Sequence, residues 1–409
     1  MRTTMRAYLD ILARPGALAF CLAGLWTRSG GAMMGIGTVL MVTSLYDSYG
    51  LAGQVTAANS AAWALGVAFL ANMVDRHGQR RVMLPATITS SACLLALVLL
   101  ASFHAPAWTL FAPAAISGFT GGSAGAMVRA RWNHLLDDAA ELHTAFSLES
   151  TLDELTFILG PVLATILATM VAPAAGLAAV VVLCTSGALV FYSLRDSEPP
   201  VARQPASGSG TAGGLLLAEP GVLPLALVAA AVGAIFGSID VSVVAATEDW
   251  GNKANSGIVM ACLAAGSGLA GFVYGSRRWG GALHRVFVAG VLALAGGTLL
   301  FLLADSPWTL AVIGFAVAAT IAPTLINANE LMQRIVDPSR LTEGIAWIGT
   351  ATGIGSSIGA AVAGQLIDIA GHRGGFLTGV GAGAAAAAIG VASVSAIAKA
   401  SRKEPEPAR

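Results

Sequence analysis

Long apolar runs dominate this sequence, and each is long enough to cross a lipid bilayer. A membrane core is about 30 Å thick and a helix rises about 1.5 Å per residue, so about 20 apolar residues make one span. Hydrophobic residues make up 56% of the chain and charged residues only 11%, which is more apolar surface than a soluble domain can bury. The sequence predicts an all-α integral membrane protein with twelve transmembrane helices, at residues 17–42, 51–73, 82–103, 107–128, 145–170, 174–194, 222–246, 256–275, 284–304, 308–329, 342–369 and 375–398.

Basic residues fall almost entirely in alternate loops between these predicted helices. One set of loops, together with both chain ends, holds 19 of the 22 Lys and Arg residues, whereas the opposite loops hold only Lys253 and Arg373. By the positive-inside rule, the Arg-rich side faces the cytoplasm. We therefore expect a multi-pass protein of the cell membrane with both termini in the cytoplasm. The formal net charge is zero, so nothing indicates a nucleic-acid partner.

The chain divides into two similar halves. Its polar stretch between the sixth and seventh predicted helices is rich in Pro, Gly and Ser, which is typical of a flexible linker. Residues 142–160 align with residues 341–359, as expected of a membrane fold built by duplication. The sequence therefore predicts two pseudo-symmetric six-helix bundles at residues 1–194 and 221–398, a cytoplasmic linker at 195–220 and a cytoplasmic tail at 399–409.

Pairs of glycines four residues apart recur inside the apolar runs. This spacing lets membrane helices approach closely, and it predicts either plain packing seams or seams that slide during a conformational cycle. The pairs are Gly31/Gly35, Gly118/Gly122, Gly121/Gly125, Gly349/Gly353 and Gly355/Gly359.

A short polar loop separates the second and third predicted helices. It carries Asp75, Arg76, Gly78, Arg80 and Arg81 with the spacing D-R-x-G-x-R-R. Glycine permits a tight turn, and arginines in such a loop can bind carboxylates or the C-terminal ends of helices.

Twelve spans, a central linker and this loop together resemble the major facilitator superfamily. The family signature lies between the second and third helices, and Ala71 and Met73 replace its glycine and leucine. The resemblance implies a transporter whose signature loop forms a cytoplasmic latch between the two halves. We expect Glu149 to join this latch by pairing with Arg129 or Arg131.

The fifth predicted helix contains Gly160 followed by Pro161. This pair is expected to kink the helix, because it removes a side chain and a backbone donor together. Exporters of the superfamily carry a longer Gly-Pro motif in this helix, of which only the core is present, and the resemblance favours export over uptake. The fourth helix lacks the arginine typical of proton antiporters, since residues 116–121 contain no basic residue.

Ionisable side chains inside the spans are functional candidates, because each costs about 2.5 kcal/mol or more to insert. Arg28 lies deep in the first helix, and its expected counter-charges are Asp153, Glu154 or Asp240. Burial favours a protonated carboxyl group, whereas a nearby guanidinium favours the ionised form. Movement of Arg28 would therefore let Asp153 or Glu154 take up a proton. The alternative is a static ion pair that fixes the first helix against the fifth.

Members of this superfamily line a central cavity with their first, fourth, seventh and tenth helices. The resemblance therefore implies substrate contacts for Arg28, Trp26, Phe119, Phe236 and Asn327. Plain packing of the aromatic residues and capping of a helix end by Asn327 are the alternatives.

Taken together, these features predict a secondary transporter that works as a monomer by alternating access. We expect proton-coupled efflux of a small amphipathic or apolar organic compound, with the substrate, protons and the lipid bilayer as partners. The alternatives are an uptake carrier or uniporter for a polar metabolite, and a membrane sensor that does not transport. No metal-ligand cluster, nucleophile elbow or phosphate-binding loop stands out, so neither an enzyme nor a cofactor is expected.

Overall fold

The computed structural model describes residues 8–200, 216–275, 282–337 and 340–401, and this part of the chain is almost entirely helical, without a β-strand. The helices that precede the linker are α1 (Ala17–Tyr46), α2 (Tyr49–His77), α3 (Gln79–Ser102), α4 (Phe111–Gly121), α5 (Ala124–Leu135), α6 (Ala139–Met170) and α7 (Ala175–Ser193), with a 3₁₀ helix at Ala107–Leu110.

The helices that follow the linker make up the remainder of the described chain. They are α8 (Val222–Asp249), α9 (Asn255–Gly275), α10 (Leu283–Leu300), α11 (Pro307–Ala318), α12 (Ile321–Ile335), α13 (Leu341–Ala370) and α14 (His372–Ala400), with 3₁₀ helices at Leu216–Ala218 and Phe301–Leu303. Part of the predicted linker, residues 201–215, and part of the predicted tail, residues 402–409, lie outside the described residues.

Eleven helices of the described chain are long and apolar enough to cross a membrane, with Pro307–Ile335 counted as one span. The fourth predicted span differs, because the chain there forms the two shorter helices α4 and α5. They are separated by Gly122, which has a φ of 62°, and by the extended residue Ser123. The Ser123 hydroxyl accepts a hydrogen bond from the N–H of Ala126 and so caps α5. A left-handed glycine followed by an N-cap residue ends one helix and begins another.

Contacts between Cα atoms group the chain into two compact units. The first unit comprises Met1–Asp47 and Ala62–Pro205, and the second comprises Ser48–Ala61 and Ala206–Arg409. The beginning of α2 therefore groups with the second unit and its remainder with the first. The domain boundaries expected from the sequence stay a prediction.

Helix α1 is the central element of the first unit, where it packs against α6 and α7. An aromatic pair ties α5 to the same helix, because the rings of Phe20 and Trp132 meet edge to face with centroids 4.8 Å apart. Both side chains are fully buried. The packing of α1 against three neighbours places the middle of this helix, including Arg28, inside the unit.

Helix α8 is the corresponding element of the second unit, and it packs closely against α13 and α14. Glycines make the contact with α13 possible from both sides. A Cβ atom on Gly355 would overlap the carbonyl oxygen of Ala230, and one on Gly359 would overlap that of Ala234. In the other direction, a Cβ atom on Gly237 would overlap the carbonyl oxygen of Ser356. The two backbones are therefore in direct contact.

Not every glycine of the predicted pairs serves such a seam. Gly31 and Gly349 have open space where a side chain would be, with nothing within 4 Å. For these two glycines the expectation of close helix packing is wrong, because spacing along a helix does not say which face meets a neighbour.

This seam predicts that Gly359→Ala destabilises the second unit by about 1–3 kcal/mol, because the new methyl group has to push two helix backbones apart. Gly349→Ala is the matched control on the same helix and should leave stability unchanged or slightly increased. Retention of monodisperse protein after heating, measured by fluorescence-detected size-exclusion chromatography, compares the two. Equal retention of monodisperse protein by the two variants would contradict direct backbone contact between α8 and α13 at Gly359.

Candidate functional site

Arg28 of α1 is held by two carboxylates of α6. Its Nη2 donates to Oε2 of Glu149 at 2.5 Å, and its Nη1 donates to Oδ1 of Asp153 at 2.7 Å. Residues four apart lie on the same face of a helix, so Glu149 and Asp153 point to α1 together. Arg28 also donates from Nε to the carbonyl oxygen of Gly24. Only 8% of the Arg28 side chain is exposed, so this guanidinium exchanges water for carboxylate partners.

Glu149 is the most deeply buried member of the site. Its side chain has no exposed surface, and its second oxygen, Oε1, accepts a hydrogen bond from the indole N–H of Trp132 at 2.7 Å. The thiol of Cys21 lies beside the same carboxylate. The expectation that Glu149 pairs with Arg129 or Arg131 is therefore wrong. Glu149 faces α1, and its carboxylate forms its ion pair with Arg28 of that helix.

Asp153 joins a second arginine to the site. Its Oδ2 accepts from Nη2 of Arg129 at 2.8 Å, while its Oδ1 binds Arg28. Gly125, one turn before Arg129, provides the room, because a Cβ atom there would lie 3.1 Å from Nη1 of Arg129. Two arginines and two carboxylates thus form a neutral group, which we call the four-charge cluster: Arg28, Arg129, Glu149 and Asp153.

Exposure differs sharply between the members of the four-charge cluster. The Asp153 side chain is 25% exposed and the Arg129 side chain 37% exposed, whereas Glu149 is sealed. The rest of the protein therefore leaves part of Asp153 and Arg129 uncovered, whereas it covers Glu149 completely. The cluster has an inner ion pair, between Arg28 and Glu149, and an outer one, between Arg129 and Asp153, and the pair between Arg28 and Asp153 joins them.

Two other expected counter-charges of Arg28 lie elsewhere. Glu154 is exposed on α6, and Asp240 lies half-buried in α8 of the second unit. Neither carboxylate forms an ion pair or hydrogen bond with another residue of the described chain. Glu154 follows Asp153 directly, and consecutive residues of a helix point about 100° apart, so only one of the two can face α1.

Arg131 has a different environment from Arg129. It is fully buried, with its guanidinium 3.8 Å from the centroid of the Phe191 ring. Its Nη1 donates to the carbonyl oxygen of Leu194 at 2.9 Å and to the hydroxyl of Ser197 at 2.7 Å, and its Nε donates to Oε1 of Gln79 at 3.0 Å. Arg131 therefore connects α5 to the beginning of α3 and to the segment after α7.

The signature loop turns at Gly78, whose φ of 90° is in the left-handed region that glycine favours. Asp75, Arg76 and Arg81 are exposed, and none of them forms an ion pair with the residues that the structure describes. Gln79, which sequence reasoning did not single out, is buried and donates from Nε2 to the carbonyl oxygen of Met127. Gln79 is thus the polar residue of this loop that packs inside the protein, whereas the charged side chains of Asp75, Arg76 and Arg81 stay at the surface.

The expected cavity residues do not share one environment. In the first unit, Trp26 is 53% exposed, and Phe119 packs against Phe69 with ring centroids 5.5 Å apart. In the second unit, Phe236 is half-buried, and Asn327 is buried with its Oδ1 accepting from the Tyr274 hydroxyl at 2.9 Å. The expected capping of a helix end by Asn327 is replaced by this contact between α9 and α12.

Gly160 and Pro161 lie within α6, which runs as one helix from Ala139 to Met170. A Cβ atom on Gly160 would lie 2.9 Å from the Cβ atom of Ala32, so this glycine allows α6 to approach α1 closely. The expected kink stays a prediction. Among the described residues, no group of three or more His, Cys, Asp or Glu side chains is arranged to hold a metal ion.

The inner ion pair predicts that Arg28→Ala is strongly destabilising. Removal of the arginine leaves Glu149 buried and unpaired, which costs about 3–5 kcal/mol, and Arg28→Ala combined with Glu149→Gln should recover part of that loss. Arg14 and Glu141 form an exposed pair at 2.9 Å, so Arg14→Ala is the matched control and should cost at most about 1 kcal/mol. Denaturant unfolding in lipid nanodiscs measures both, and equal losses for Arg28→Ala and Arg14→Ala would contradict the buried pair.

Several solved structures of transporters have the same fold. A mutant of the nucleoside transporter NupG aligns with a TM-score of 0.74 at 16% identity, covering 95% of this chain and 100% of that one. A peptide transporter, POT, in complex with sulfate aligns with a TM-score of 0.72 at 14% identity, covering 95% of each chain. A bacterial homologue of the iron transporter ferroportin aligns with a TM-score of 0.68 at 17% identity, covering 95% and 98%. At these identities the likeness establishes the fold alone.

The family is identified by comparison of the amino-acid sequence with models of protein families. No curated protein sequence matches this chain. The sequence model of the Major Facilitator Superfamily, in contrast, matches residues 18–244 and 225–409, which together span nearly the whole chain. The chain therefore belongs to the Major Facilitator Superfamily and is a multi-pass membrane transporter, not an enzyme.

Proposed function

We propose that this transporter exports a small amphipathic or apolar organic compound in exchange for protons, by alternating access. The observation that carries the proposal is the four-charge cluster. Charged groups inside a membrane are costly, and in transporters they commonly mark ion pathways or proton relays. Here one of the two carboxylates, Asp153, is both ion-paired and partly exposed.

Asp153 is the member of the cluster that we propose takes up the proton. With both carboxylates ionised, two positive and two negative charges cancel. A proton on Asp153 leaves a net charge of +1 and removes the negative partner of Arg129, while Glu149 continues to hold Arg28. Repulsion between the two arginines then favours movement of Arg129, whose side chain is the most exposed of the four.

In the proposed step, which couples protonation of Asp153 to movement of Arg129, one part of the four-charge cluster stays fixed and the other moves. Arg28, Glu149 and Trp132 form the fixed part, because their side chains are buried and Glu149 accepts hydrogen bonds from both of the others. Arg129 of α5 and Asp153 of α6 form the moving part. Gly122 and Ser123, which separate α4 from α5, lie just before Arg129 and give that segment a place to bend.

The proposed substrate class follows from the membrane-spanning side chains of the described chain, which are mostly apolar. Trp26 and Phe119, both of the first unit, are proposed to contact it. An uptake carrier or uniporter that binds a polar metabolite through Arg28 is less well supported, because both terminal nitrogens of Arg28 are already bonded to carboxylates. A sensor without transport activity remains an outcome of the test below.

We further propose that the protein lies in the cell membrane as a monomer with both termini in the cytoplasm. The asymmetry of Lys and Arg between alternate loops supports this orientation. The four-charge cluster would then lie toward the cytoplasmic half of the membrane, because Arg129 is near the Arg-rich end of its span.

The proposal predicts that Asp153→Asn abolishes proton flux triggered by substrate, because an amide does not gain or lose a net proton near neutral pH. Glu154→Gln is the matched control, since Glu154 is the adjacent carboxylate and has no ion pair among the described residues. The measurement uses proteoliposomes that contain a pH-sensitive dye and are challenged with a panel of lipophilic cations and neutral compounds. Asp153→Asn should fall to the level of empty liposomes, and Glu154→Gln should match the native protein.

Other outcomes point to defined alternatives. Full activity of Asp153→Asn together with loss of flux in Asp240→Asn would move proton coupling to α8 of the second unit. Substrate movement without proton flux in the native protein would identify a uniporter. Binding of a compound, seen as a change in intrinsic fluorescence, without movement of either substrate or protons would identify a sensor.

A further inference from the structure

We propose that a cavity at the beginning of α3 binds a phosphate-bearing anion, either a lipid headgroup or a soluble phosphate. This cavity has a volume of about 640 Å³ and lies in the first unit, between the signature loop and the segment that follows α7. Three arginines line it: Arg80, Arg81 and Arg195. Its volume is within the range of about 300–1,000 Å³ that is common for small-ligand sites.

Carboxylates of the described chain do not neutralise the positive charge of the arginines that line the cavity. None of the three side chains forms an ion pair with another residue of the described chain. Glu198 is the one acidic residue that lines the cavity, and its Oε1 accepts a hydrogen bond from the backbone N–H of Arg80 at 2.9 Å. Three guanidinium groups against one carboxylate leave a net charge of +2, even with His77, which also lines the cavity, in its neutral form.

Hydrogen bonds from Arg131 fix the segment that forms one wall of the cavity. Arg131, fully buried, donates to the carbonyl oxygen of Leu194 and to the hydroxyl of Ser197, the residues on either side of Arg195 and Asp196. Pro199 and Pro200 continue the wall, and their fixed φ angles limit its freedom. An anion would therefore meet a preformed site, which reduces the entropy cost of binding.

Phosphate is the anion that fits this lining best. Guanidinium groups bind phosphate through paired, charge-assisted hydrogen bonds, and three of them can surround its oxygens. Leu84 and Pro85 give the cavity an apolar side next to its charged side. The cavity lies beside the first turns of α3 and the segment that follows α7, and so at one end of both membrane-spanning helices. A phospholipid with an anionic headgroup and a soluble phosphate share the chemistry that this site would recognise.

The test measures binding to the purified full chain by native mass spectrometry. One arm titrates short-chain phosphatidylglycerol against short-chain phosphatidylcholine in mixed micelles, and the other titrates inorganic phosphate against chloride at matched ionic strength. The key variant is Arg81→Ala with Arg195→Ala, and the control is Arg14→Ala with Arg76→Ala, which removes two exposed arginines that do not line the cavity. Arg81→Lys with Arg195→Lys retains the charge and guards against misfolding of the alanine variant.

The cavity variant should bind the anion about tenfold more weakly for each arginine removed, since a charge-assisted hydrogen bond contributes about that much. The affinity of the control should stay within about twofold of that of the native protein. The affinity of the lysine variant should lie between those of the native protein and the alanine cavity variant. Preference for phosphatidylglycerol alone identifies a lipid site, and binding of inorganic phosphate identifies a soluble anion. The proposal is overturned if neither probe binds the native protein, or if the control loses as much affinity as the cavity variant.

Discussion

Burial of one arginine in a membrane helix is the constraint on which the rest of the first unit depends. Arg28 sits in the middle of the packed helix α1, where water cannot satisfy its guanidinium. Glu149 and Asp153 therefore have to lie on one face of α6, Trp132 has to complete the hydrogen bonding of Glu149, and Gly125 has to leave room for Arg129. Three helices, α1, α5 and α6, are fixed relative to one another by this single requirement.

Neighbouring residues of the same type take up different roles because helix geometry separates them. Glu149 and Asp153 share a face, yet the side chain of Glu149 is fully buried and that of Asp153 is partly exposed. Arg129 and Arg131 are two residues apart and point about 200° apart around α5, so one joins the four-charge cluster and the other supports the wall of the basic cavity. Depth and direction, rather than residue type, distinguish the residues that can move from those that cannot.

Much of the fold could be predicted from sequence, because apolar runs of sufficient length can only be membrane helices. The break at Gly122 could not, since its cause is a backbone conformation that apolar composition does not reveal. Helix α6 begins at Ala139, earlier than the predicted residue 145, because its first turns are polar and continue the helix beyond the apolar run. For the site, the spacing of Glu149 and Asp153 predicted a shared face, but not that α1 rather than α5 supplies the arginine for Glu149.

The most direct test of the account is the protonation of Asp153 itself. Infrared difference spectra of the protein in lipid nanodiscs, recorded between neutral and acidic pH, detect the C=O stretch of each carboxyl group that takes up a proton. The account predicts that the spectrum contains a band that is lost in Asp153→Asn and retained in both Glu154→Gln and Asp240→Asn. A spectrum of Asp153→Asn identical to that of the native protein would contradict it.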